Sequence, residues 1–299
     1  MPILLWGRGV NCDLWWRIGH KKHSVMVKIM TLAPQSLMLM ISVSIFLAIK
    51  WRMSLTTRPR LSFGAKLQWF TLTPTLDPKA FFSSASAKGR PSLATLRSGL
   101  TGMVIGSSLI WWIAPWAAVH SEMLAGWLAV AGLILFMHFG LLHLIVSAWQ
   151  SFGRTPQPLM LSPWLAESPS DFWGRRWNTA FRDVAHQLIL LPLTRRWGSR
   201  IASVLCFLFS GLVHELAISV PAHGGYGGPT AYFMLQWFGL SMERWIRGHI
   251  ADSRLRRVLF RLIAIVIVLV PAPLLFHRAF LVRVILPLVG ISVDDDSFE

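Results

Sequence analysis

Long stretches of the chain hold no Asp, Glu, Lys or Arg. Residues 29–49 form one, 98–121 a second, and 123–153 a third, entered after the single Glu122. Residues 201–214 are also free of charge, meet Glu215, and 216–242 are clear again. Inside that last stretch His223-Gly-Gly-Tyr-Gly-Gly-Pro229 must turn, which divides the region into spans near 201–221 and 230–247. Residues 262–277 follow; the final apolar run, 279–293, carries Arg283 and is at best a weak span. A helix crosses the hydrocarbon layer with about 20 apolar residues, so each longer run predicts a span. Residues 184–194 are too few to cross and predict a re-entrant or interfacial piece sheltered by surrounding protein. The expected fold class is all-α: a polytopic membrane helical bundle of about six to eight spans with interfacial or re-entrant helices.

The polar stretches between these runs set an expected orientation. Positions 50–98 hold nine Lys/Arg, 150–200 hold seven and 244–261 hold six, while the turns at 119–122 and 221–229 hold none. Basic blocks alternating with bare turns predict a multi-pass integral membrane protein whose basic loops lie in the cytoplasm. The segment 51–97 reads as a cytoplasmic loop lying on anionic lipid. The expected organisation is an N-terminal segment over 1–97, a membrane core over 98–293 and an acidic tail over 294–299.

Composition agrees with a bilayer as solvent. Charged residues make up only 14% of the chain and apolar ones 54%, against roughly 25% charged in soluble domains. The formal net charge of +16 would suit a nucleic-acid partner, but a nucleic-acid binder would not be this apolar, so none is expected. Sixteen Trp suit the headgroup level. Cys12 and Cys206 form no CxxC or zinc spacing, and no metal is expected.

Two places break the membrane rules. The first is Phe209-Ser-Gly-Leu-Val-His214-Glu215-Leu, where a His and a Glu sit inside a span, a costly placement that by default marks a site. At helical spacing Ser203, Ser210, Gly211, His214 and Ala217 share a small, weakly polar face that a substrate or another helix can approach. Glu215 lies about 100° round the helix. The second is Ser168-Pro-Ser-Asp171-Phe-Trp-Gly-Arg175-Arg176-Trp177-Asn178-Thr-Ala-Phe-Arg182-Asp183. Ser168 reads as an N-cap with Pro169 at the first helical position. On the helix that follows, Trp173, Trp177, Phe181 and Val184 form an apolar stripe opposite Asp171, Arg175, Asn178 and Arg182, the pattern of a helix lying in the interface plane. His138 and His143, five apart, lack the spacing of a ligand pair and read as bundle-facing or tunnel-lining.

The string Ser170-Asp-Phe-Trp-Gly-Arg-Arg-Trp-Asn178 followed by Phe209-Ser-Gly-Leu-Val-His-Glu-Leu216 resembles the wax synthase branch of the membrane-bound O-acyltransferases. Pro271-Ala-Pro-Leu-Leu-Phe-His277 is similar to that family's C-terminal region. The resemblance implies a helical bundle around a substrate tunnel and acyl transfer from acyl-CoA, as co-substrate, to the hydroxyl of a lipophilic long-chain alcohol, with no further cofactor. It implies His214 as the catalytic histidine and Asn178 as its partner. Imidazole suits removal of a hydroxyl proton at neutral pH, and Asn178 would donate a hydrogen bond to the thioester oxygen or hold the acyl donor. Arg175, Arg176 and Arg182 are candidates to meet the phosphates of acyl-CoA, and Ser210, Gly211, Glu215 and Trp177 to line the tunnel. Two alternatives stand beside this reading: acylation of another lipid or sterol hydroxyl, and a proton-coupled transporter using His214 and Glu215.

Overall fold

The computed structural model describes residues 33–56, 62–73, 75–76, 78, 92–152, 156–250 and 253–292. His20, His23 and the acidic tail from Asp294 lie outside them. Every regular element among the described residues is helical. Helix α1 is Pro34–Thr56 and α2 is Phe63–Leu72. The next two, α3 (Leu93–Ala118) and α4 (Glu122–Ser151), form a hairpin joined by a turn at 119–121. Ser121 starts α4 by accepting the Leu124 N–H at 3.3 Å, and Glu122 sits in its first turn, where a carboxylate favours the helix dipole. Beyond an irregular segment, short α5 (Pro169–Asp171) runs into a π-helical turn at Phe172–Arg176. Then come α6 (Thr179–Ala185), α7 (Leu191–His214), α8 (Gly228–His249) and α9 (Ser253–Leu269).

Five described helical runs are long and apolar enough to cross a membrane: Pro34–Thr56, Leu93–Ala118, Glu122–Ser151, Thr179–Ala222 and Ser253–Leu275. At most 39% of any of these apolar windows is buried within the protein. The rest, including Val43, Leu47, Trp112 and Val266, point outward as lipid-facing side chains do. The protein is a multi-pass integral membrane helical bundle.

Three expectations are refined. Residues 184–194 are part of a longer helical stretch, which non-helical Gly198 divides from the span that follows. The stretch runs from Thr179 to Ala222, and Gly198 has φ 80° and ψ 163°. The described part of the run 279–293 packs into the core: Leu281 and Val284 are fully buried beside Val130, Ile218 and Phe233, and Leu286 beside Ala117 and Ala125. Its hydrophobicity serves protein contacts. The segment 51–97 is more than a loop on lipid, because α2 docks on α1. Trp69 is fully buried there with Met53, Leu76, Leu159, Ala180 and Val184.

The docking agent is Lys50. Its ammonium group is buried and donates to the carbonyls of Trp69 (2.7 Å), Phe70 (3.2 Å) and Thr73 (2.6 Å), with the rings of Phe46 and Trp69 under it at 4.8 and 4.9 Å. Those carbonyls are orphan acceptors at the end of α2, where a cation is favoured.

Candidate active site

The expected interfacial helix over 169–184 is broken in two. Ser168 does cap its start, accepting the Asp171 N–H at 3.1 Å. After the π-helical turn, however, Trp177 is extended (φ −99°, ψ 126°) and Asn178 is left-handed (φ 42°, ψ 62°). Asn is among the residue types that accept this conformation. The break is held from outside: Leu161 N–H bonds to the Arg176 carbonyl (2.8 Å), and Thr179 N–H to the Leu159 carbonyl (3.0 Å). The Asn178 side chain then restarts the helix, its Oδ1 accepting the Phe181 N–H at 3.2 Å. With Oδ1 so engaged, the Asn178 amide nitrogen is left as a donor.

His214 is the last residue of α7, immediately before a π-helical turn at Glu215–Ser219. Its Nδ1 lies 2.7 Å from the Ser210 carbonyl oxygen and its ring is against Phe233, centroids 4.4 Å apart. A carbonyl can only accept, so Nδ1 carries the proton. The neutral ring therefore presents Nε2 as a bare lone pair.

Both residues line one cavity of about 880 Å3. Its wall is mostly apolar, with Ile45, Phe46, Leu142, Phe181 and Phe207 among the lining residues. Polar groups are few: Ser42, Ser170, Asn178, Arg182, Asp183, His138, His186, Ser210 and His214. A largely apolar cavity with a few convergent polar groups is the form of a ligand site. Trp177 and Ser210 line it too. Four of the lining residues, Ser42, Ile45, Phe46 and Ile49, come from α1, and nothing in the sequence motifs pointed to them.

Gly211 and Glu215 are not in the cavity wall. Gly211 faces α8, where an added Cβ would lie 2.8 Å from the Thr230 Cα, so glycine permits that approach. The Glu215 Oε1 accepts from the Thr230 N–H (3.1 Å) and hydroxyl (3.0 Å), which caps the start of α8.

The three arginines are all engaged within the protein. Arg175 Nε meets Asp171 Oδ1 at 2.9 Å, and Arg176 Nε meets Oδ2 at 2.6 Å. Arg182 Nε donates to Asp183 Oδ1 at 2.8 Å, and another of its nitrogens to the Gly174 carbonyl at 2.9 Å. Of the three, only Arg182 lines the cavity. Burial would raise the Asp171 carboxyl, but the Arg176 hydrogen bond, the Glu167 N–H and the two guanidinium charges outweigh it and hold Asp171 below its ordinary value. A second buried carboxylate, Glu243 on α8, accepts from the Ser170 N–H (2.8 Å) and hydroxyl (2.7 Å) and from Arg247 (2.6 Å). His277 also lies outside the cavity wall. Its Nδ1 caps the next short helix at Phe280 (3.2 Å), and its ring occupies the space where Gly225 (φ 70°) lacks a side chain. Among the described residues no group of three His, Cys, Asp or Glu could hold a metal.

Residues 155–235, which carry Asn178 and His214, match the family model described as the membrane bound O-acyl transferase family. Over this segment the chain is similar to the membrane-bound O-acyltransferase family. The chain is also 35% identical over 79 residues to a long-chain-alcohol O-fatty-acyltransferase of Simmondsia chinensis, covering 24% of this chain and 22% of that one. It is 32% identical over 155 residues to a probable long-chain-alcohol O-fatty-acyltransferase 8 of Arabidopsis thaliana, covering 48% and 46%. A probable long-chain-alcohol O-fatty-acyltransferase 1 of Arabidopsis thaliana is 33% identical over 99 residues, covering 30% and 29%. These matches span less than half the length of the curated relatives, and they put the likeness in the wax synthase-like branch of the family.

Proposed function

We propose that the protein transfers a fatty acyl group from acyl-CoA to the hydroxyl of a long-chain alcohol, with His214 as general base. The observation that carries this reading is one apolar cavity lined by both an imidazole with a bare nitrogen and a carboxamide with a free donor. The His214 Nε2 takes the hydroxyl proton as the oxygen attacks the thioester carbonyl, and Asn178 donates to the oxygen that becomes negative. The intermediate collapses by breaking its C–S bond, and the imidazolium returns the proton to the leaving thiolate. His214, Nδ1 held by Ser210, keeps the tautomer this requires. Ester and free CoA thiol are the products, and no acyl-enzyme forms. The apolar wall suits two lipid chains and keeps water, the competing acceptor, away from the thioester.

The arginines enter this reading differently from the sequence expectation. Arg176 and Arg182 are bound to carboxylates and offer little open charge. Arg175, whose side chain is 77% exposed, has guanidinium donors left for a phosphate. A proton-coupled transporter built on His214 and Glu215 is disfavoured, since Glu215 Oε1 is engaged by Thr230 on another helix.

The test is direct. Membranes containing the chain, given labelled acyl-CoA and hexadecanol, yield labelled wax ester, and His214→Ala abolishes it at unchanged protein level. Full activity in that variant overturns the assignment. Offering a sterol or a diacylglycerol in place of hexadecanol identifies the acceptor.

A further inference from the structure

Gln236 lies in the middle of α8 and is fully buried, where an amide is costly unless both its ends are bonded. Both are. Its Nε2 donates to the Ile267 carbonyl of α9 at 2.6 Å, and its Oε1 accepts from the Trp173 indole N–H at 3.3 Å. A carbonyl only accepts and an indole N–H only donates, so the amide has one workable orientation. The Ile267 carbonyl has no helical donor, because the residue four further on is Pro271, which carries no N–H. The same end of α9 has a second cap from α8: the Tyr232 hydroxyl, four residues before Gln236, donates to the Val268 carbonyl at 3.2 Å. Capping α9 explains the donor of Gln236. It does not explain the acceptor, which goes to Trp173.

Trp173 lines the cavity, while Gln236 does not. The Trp173 ring is edge-on to Phe207 (5.9 Å, 90°) and tilted against Phe233 (5.8 Å, 50°), and Phe233 lies against the His214 ring (4.4 Å). The imidazole is therefore held at Nδ1 by the Ser210 carbonyl and at its ring by Phe233. Glu243, about two turns along α8 from Gln236, holds Ser170, so α8 ties the segment down at both 170 and 173. We propose that Gln236 is a positioning residue for the general base. Its carbonyl oxygen fixes the Trp173 indole, Trp173 fixes Phe233, and Phe233 fixes the imidazole against the reacting hydroxyl. A misplacement of about 1 Å can cost a reaction about a hundredfold in rate, so a bond outside the cavity is read in turnover. The inference rests on the acyl-transfer reading above.

The experiment measures kcat per folded molecule and KM in full-length protein under the hexadecanol assay. Gln236→Met removes both bonds. Tyr232→Phe keeps its ring and removes only the other cap of α9, so it is the control for a structural role. Trp173→Phe removes the indole N–H and leaves Gln236 on Ile267. The inference expects kcat to fall about tenfold or more in Gln236→Met, with the KM for hexadecanol and for acyl-CoA within about twofold. It expects Tyr232→Phe to melt earlier but keep kcat within about twofold. It expects the double variant, Gln236→Met with Trp173→Phe, to fall no further than the slower single variant, because both break one bond. Unchanged kcat in Gln236→Met overturns it. Equal losses in Gln236→Met and Tyr232→Phe also overturn it, by assigning both residues to the end of α9, and so do losses that multiply in the double variant. Should Gln236→Met not accumulate, Trp173→Phe decides alone: a fall in kcat at constant KM supports the inference, and unchanged kcat or a loss carried in KM overturns it. Absence of ester from the unsubstituted protein, by contrast, strikes the acyl-transfer reading itself.

Discussion

The two motifs that stand out in the sequence each contain charged and neutral polar residues, and the fold uses the two kinds differently. In the segment 168–183, Asp171, Arg175 and Arg176 bind one another and Arg182 binds Asp183, while uncharged Asn178 presents its amide in a cavity wall. In the pair His214-Glu215, the carboxylate caps α8 and the imidazole faces the cavity. A charge in a membrane protein is tolerable only where it is neutralised or bonded, so the charged residues are held by structural partners. A neutral group with one unfilled hydrogen-bonding site is cheap enough to wait in an apolar wall for a substrate.

The widest separation is expected at His214. His214→Ala removes the base and with it all measurable ester formation, a drop of about a thousandfold or more, with the thermal midpoint in detergent close to that of the unsubstituted protein. Next comes Asn178→Asp. The carboxylate still accepts the Phe181 N–H and still suits a left-handed backbone, so the helix start survives, but the donor is gone. Turnover is expected to fall about 10²–10³-fold with stability held within about 1 kcal/mol. Asn178→Ala loses the cap as well and is expected to melt earlier than Asn178→Asp. Equal turnover in Asn178→Asp and the unsubstituted protein would erase the contrast drawn above.

Glu215 carries the opposite expectation. Glu215→Leu strands the Thr230 N–H and hydroxyl and is expected to cost about 1–3 kcal/mol of stability. Turnover per folded molecule is expected to stay near normal, and Glu215→Gln, which keeps an acceptor, to stay closer still. The smallest effect belongs to Asp171. Its folded-state pKa is depressed, so the stability it contributes is present above its unfolded value of 3.8 and is lost as pH falls through the lower folded value. Thermal midpoints measured from about pH 5 down to pH 2.5 should drop less steeply in Asp171→Asn than in the unsubstituted protein.

Most spans were legible because absence of charge over about 20 residues has one cheap explanation; the expected span near 230–247 is a helix, Gly228–His249, but not one of the five described runs apolar enough to cross. His214 and Asn178 were legible as motif members, and their meeting in one cavity is what the fold adds. The break at Trp177-Asn178 was hidden because an amphipathic pattern continues across it; what forces the break is the pairing of 159–161 with 176–179, a contact no local pattern reports. Lys50 read as the polar end of a span, yet it is drawn inward by three carbonyls far along the chain. His138 carried a weak signal, one of two histidines five apart in an apolar helix.

That lysine clasp bears on how the chain can be divided. The stretch recognisable by family likeness, 155–235, begins beyond α1 and α2, yet α1 supplies Ser42, Ile45, Phe46 and Ile49 to the wall of the cavity. Cut out alone, the recognisable part would be a vessel missing one side: the reactive groups would remain, with lipid and water free to wash over them. Relatives whose amino-terminal helices differ in bulk at those four places would accordingly differ in the length of chain they accept.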